Sequence, residues 1–140
     1  MIFVRIAGMS LAKVWVRTVS DGLVRADRII GISAHPTPAL SGKPAHWLLD
    51  ATLAISVGSG DAADGWAVAA LHRTLIQTRA EPVGASEAFA QLLAGLHDSD
   101  AAGVIAAVAG SPGQDGLVRF TFTPFDRTNV TETTSYDHAG

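Results

Sequence analysis

The stretch HWLLDATLAISV, residues 46–57, decides the reading of this chain. Trp47, Leu49, Ala51, Leu53, Ile55 and Val57 fall on one side of a two-residue repeat, and His46, Leu48, Asp50, Thr52, Ala54 and Ser56 on the other. Successive strand side chains point to opposite faces, so this period marks a β-strand with one buried side. A strand needs hydrogen-bonding partners, and the flanking sequence must supply them.

Downstream, GSGDAADG (58–65) is turn material and leads into WAVAALHRTLIQTR (66–79). As a helix, this stretch has Asp64 as N-cap and a stripe of Val68, Leu71 and Leu75. As a strand, it pairs back across the turn. Val57 then meets Trp66, Ile55 meets Val68, Leu49 meets Thr74 and Trp47 meets Ile76. Asp50 meets Arg73, an opposite-charge cross-strand pair. Burial and charge favour the strand, although the alanines pull toward helix.

Upstream, KVWVRTV (13–19) is β-branched and aromatic, and Asp21-Gly22 is a hairpin signal. Residues 23–33 form the return strand. A two-residue turn places Val19 opposite Val24, Val14 opposite Ile29 and Trp15 opposite Arg28, with Arg28 in cation–π reach of the indole. A three-residue turn sets Arg17 against Arg25 and is disfavoured. The chosen register leaves Val16 against Asp27, which a bulge near Arg28 relieves. Residues 34–45 (AHPTPALSGKPA) hold Pro36, Pro38 and Pro44 and read as a loop.

After Pro82, residues 85–98 (ASEAFAQLLAGLHD) carry Phe89, Leu92, Leu93 and Leu96 at helical spacing, with Ser86 as the cap. GVIAAVA (103–109) reads as a short buried strand and LVRFTF (117–122) as its partner across the turn at 111–116. The peptide DGLVR occurs at 21–25 and again at 115–119. Its flanks do not match, so it reads as repeated hairpin chemistry and not as a duplicated unit.

The expected fold is α+β: a mainly antiparallel sheet in ββββαββ order with one principal helix packed on a face. The expected organisation is an N-terminal extension at 1–12 with Met9 as an alternative start, one α+β domain at 13–123, and a flexible polar tail at 124–140.

Composition narrows the function classes. The 140 residues are 48% hydrophobic and 16% charged, the balance of a chain with a packed core. A net charge of −3 and scattered arginines argue against nucleic acid as a partner. The absence of cysteine excludes disulfides, thiolate chemistry and cysteine zinc sites. No apolar run approaches the roughly 18 residues of a membrane span. A soluble, cytoplasmic protein is expected, and the alanine- and arginine-rich bias suggests a bacterial one.

The common catalytic and phosphate-binding motifs are missing. The histidines, His35, His46, His72, His97 and His138, show no metal-ligand spacing. No metal or cofactor is expected. The one catalytic candidate is the cluster of His72, Arg73 and Thr74 with Asp50 across the hairpin, where His72 would move a proton and Arg73 would hold an anion. In the strand register, however, His72 lies opposite Ala51, partly buried, while Arg73 faces Asp50 on the other side. The reading is therefore a small non-catalytic binding or assembly module. Its partner is a second copy or another protein, with the first strand, bearing Lys13 and Arg17, as the candidate edge. The alternative is a small enzyme or small-molecule-binding domain with a site near His72 or the 34–45 loop.

Overall fold

The computed structural model describes residues 10–20, 22–54 and 71–126. It is α+β, with one main helix and two sheets in place of the single sheet expected. The chain runs β1 (Val14–Arg17), β2 (Leu23–Arg25), a 3₁₀ turn (Ala26–Arg28), β3 (Ile29–Pro36), β4 (Trp47–Leu53), β5 (Leu71–Thr78), α1 (Ala85–His97), β6 (Gly103–Ala109) and β7 (Val118–Pro124).

The second sheet exists because the return strand of the first hairpin breaks. Ala26 and Asp27 are poor strand formers. The chain turns there, buries Ala26 in the core and leaves Asp27 outside, paired with Arg25 at 2.5 Å. Before the turn it belongs to a sheet of order β2-β1-β6-β7; after it, to a sheet of order β3-β4-β5. Among the described residues the helix is thus preceded by five strands, where four were expected.

The first hairpin also has a different register. Trp15 faces Arg25, Val16 faces Val24 and Arg17 faces Leu23, so Trp15 is not opposite Arg28. The connection is wider than two residues. Thr18 donates to the Gly22 carbonyl through both its amide and its hydroxyl, and Gly22 takes a φ of +105°. The Val19 amide leaves the hairpin for the Thr74 carbonyl of β5. This register sets valine against valine on the buried face, where the expected one set Val16 against Asp27.

β1 pairs parallel with β6, and every other pair is antiparallel. Parallel neighbours need a long crossover, here supplied by the whole second sheet and α1. β1 is therefore an interior strand, not the candidate edge expected of the first strand.

β4 is central in the second sheet, and Leu49, Ala51 and Leu53 are buried as the alternation requires. β3 runs on through Ala34, His35 and Pro36, opposite Leu49, Leu48 and Trp47, so the expected loop begins only after Pro36. Pro36 costs no ladder bond, because strand ends and edges tolerate proline. The ambiguous stretch is a strand over Leu71–Thr78; its residues 66–70, the turn at 58–65 and the pairs Val57–Trp66 and Ile55–Val68 lie outside the described residues.

α1 begins at Gly84, which takes the left-handed conformation with φ +78°; Ser86 is inside the helix and is not its cap. The Ser99 amide and hydroxyl close the other end on the Leu96 carbonyl. Phe89 is buried, and Leu92, Leu93 and Leu96 pack around it against Val14, Val16 and Ile105 of the first sheet and Ala51 and Leu75 of the second. Phe89 meets Phe120 of β7 edge to face at 5.1 Å. The last strand runs to Pro124, and the Phe125 amide donates to the Ala102 carbonyl, so ordered pairing passes the expected boundary at 123. Among the described residues, no helix is long and apolar enough to cross a membrane.

Candidate functional site

The polar face of the β3-β4-β5 sheet gathers the chemistry-bearing side chains. Asp50 lies at its centre, with Ser33 opposite on β3 and Thr74 opposite on β5. Its side chain is only 10% exposed. Burying a carboxylate is costly unless donors meet it. Both Asp50 oxygens are met: Oδ1 accepts from the Thr74 hydroxyl at 2.7 Å, and Oδ2 lies 2.6 Å from Nε2 of His35. His35 reaches it diagonally, from a position opposite Leu48.

This bond to Asp50 raises the His35 pKa above its ordinary value of 6.5. Burial opposes the rise, while the Asp50 charge and a hydrogen bond to the Pro36 backbone add to it. The ring is half-exposed, so the imidazolium keeps water on one side while its edges are engaged.

The expected cluster is rearranged by a one-residue offset between β4 and β5, to which a bulge in β5 adds one residue more beyond Asp50. Register shifts between Leu49 and Asp50, where Leu75 is the extra residue on β5. Leu49 consequently faces Ile76 and Trp47 faces Thr78; neither lies against its expected partner. Asp50 faces Thr74, not Arg73, and Arg73 faces Ala51. His72 faces Thr52, not Ala51, and is exposed instead of partly buried. Its Nδ1 lies 3.2 Å from the Thr52 hydroxyl. His72 and Asp50 thus occupy the same face, two pairs apart along the ladder, while Arg73 belongs to the opposite side and donates from Nη1 to the His72 carbonyl.

His35 is the participant that sequence reasoning left in a loop. Its signal was present: Gly31, Ser33 and His35 alternate with Ile30, Ile32 and Ala34. Among the described residues, no group of three or more histidine, aspartate or glutamate side chains is placed to hold a metal ion.

The same sheet ends at β3. Among the described residues, β3 pairs with β4 on one side and with no strand on the other. Its eight residues, IIGISAHP, contain no aspartate, glutamate, lysine or arginine. Ile30 is 66% exposed. Between this edge and α1 lies a groove of about 270 Å³, lined by Ile30, Ile32, Ser86, Phe89, Ala90 and Leu93. No family model, curated protein or solved structure matches this chain.

Proposed function

We propose that this domain is a non-catalytic assembly module that pairs with a second copy of itself along β3. The observation that carries the reading is the open eight-residue edge without aspartate, glutamate, lysine or arginine among the described residues. An open edge presents a row of backbone donors and acceptors, and proteins that stay monomeric usually blunt it with charge. β5, the other edge of this sheet, carries Arg73, and the Val19 amide reaches its Thr74 carbonyl. β2 is only three residues long. On β3, antiparallel pairing of two copies brings no aspartate, glutamate, lysine or arginine side chains together across the ladder, and Ile30 can settle over the partner's groove.

An enzyme centred on His72 draws less support. A general base needs a ring nitrogen directed at a reacting atom and a partner that orients the ring. His72 Nδ1 is taken by the Thr52 hydroxyl, and Arg73 belongs to the opposite side of the sheet. In the His35–Asp50 pair, Asp50 and the Pro36 backbone both engage the ring.

Light scattering and sedimentation at micromolar concentration test the reading. The intact chain is expected to have the mass of a dimer. Ile30→Lys, which adds charge to the edge at an exposed position, is expected to yield a folded monomer. A monomer at high micromolar concentration for the unaltered chain overturns the proposal.

A further inference from the structure

A second cavity lies away from the polar face. It opens where the chain passes from the first sheet to the second, beside the end of β4, and holds about 430 Å³. That volume lies within the range of small-ligand sites. The Trp15 indole and the side chains of Leu23, Val24 and Leu53 make its walls largely apolar. Two guanidinium groups, Arg25 and Arg28, complete the lining.

The charges here do not cancel. Asp27 engages Arg25, but no acidic side chain among the described residues lies within ion-pair reach of Arg28. The Arg25 Nε–H is buried and finds no acceptor. A buried donor without an acceptor is costly, and a ligand oxygen relieves that cost. The backbone around the cavity is fixed on two sides: Trp15 pairs with Arg25 across the first hairpin, and the Ala54 amide donates to the Arg28 carbonyl. The arginines are thereby held beside the aromatic wall by ladder bonds from both sheets.

We infer that this cavity binds a small amphipathic anion, with its carboxylate on Arg28 and the Arg25 Nε–H and its apolar tail against Trp15 and Leu53. Guanidinium suits this role because its planar donors match a carboxylate. The apolar lining demands a tail, so a short polar anion alone satisfies only half of the site. This site lies apart from the β3 edge and does not depend on self-pairing.

Octanoate serves as the probe, with octanol carrying the tail alone and acetate the charge alone. Amide and indole resonances of the ¹⁵N-labelled protein report the position of binding. Octanoate is expected to shift Trp15, the 23–28 segment, Leu53 and Ala54, and to bind at least tenfold more tightly than either control. Arg28 is exposed, so Arg28→Ala is expected to fold normally and to weaken octanoate about tenfold, while leaving the weak octanol binding unchanged. Octanol binding as tightly as octanoate, shifts centred elsewhere, or undiminished octanoate binding by Arg28→Ala overturns the inference.

Discussion

At the scale of single residues, the His35–Asp50 contact makes a pH-dependent contribution whose sign follows from the geometry. Folding raises the His35 pKa above its unfolded value, near 6.5, chiefly through the hydrogen bond to Asp50. The folded state therefore holds the proton more tightly than the unfolded state does. Stability from this contact is complete below the unfolded pKa and is lost as pH rises through the folded one. His35→Gln removes the titrating group. The difference in melting temperature between the parent and His35→Gln is expected to be greatest below about pH 6.5 and to shrink as pH rises through the raised folded value. A difference that grows with pH contradicts the assignment. Half of this site was legible in the sequence. Asp50 was picked out with His72, Arg73 and Thr74, but its partners depend on a one-residue offset between β4 and β5 and on a diagonal reach from β3. Residue spacing does not encode either of these, and a one-residue offset of the ladder, present from Leu53–Leu71 onward, exchanged Arg73 for Thr74.

At the scale of elements, the glycines show how local chemistry and packing divide the control of this fold. A Cβ built on Gly103, at the start of β6, meets the Thr123 carbonyl oxygen at 2.2 Å and the Pro124 Cα at 2.8 Å. Both are backbone atoms of the neighbouring strand and cannot move aside without breaking the ladder. A Cβ on Gly95, within α1, meets nothing within 4 Å. Gly103→Ala is expected to cost at least about 1–3 kcal/mol, as overpacking does, and to shift the amide resonances at the end of β7. Gly95→Ala is expected to stabilise by up to about 1 kcal/mol, since alanine is the better helix former. Chemical denaturation of the two variants checks both signs. The strand at 46–53, the helix and the last hairpin were readable because each carries its own period. The break at Ala26–Arg28 was not, because burial of Ala26 beneath both sheets, and not any turn motif, fixes where the strand bends.

At the scale of the whole molecule, the two sheets share one core, and Phe89 is the side chain through which the helix joins it. It is 1% exposed and belongs to the cluster that includes Val14, Val16 and Ile105 from one sheet and Ala51 and Leu75 from the other. The single-sheet expectation failed at this scale. One sequence shows that β1 and β4 are both half-buried, but not that their buried faces meet in a common interior. That shared interior has a thermodynamic consequence. If each sheet had its own core, removing the ring would weaken one and spare the other. With a common core, Phe89→Ala deletes contacts to both, and the loss is expected at about 3–5 kcal/mol. Amide exchange distinguishes the cases, because it reads the stability of each strand separately. The amides of Val16 in β1 and Ala51 in β4 are expected to lose protection by the same free energy in Phe89→Ala, as one cooperative unit requires. If Ala51 keeps its protection while Val16 loses it, the sheets unfold independently, and the helix belongs to the first sheet alone.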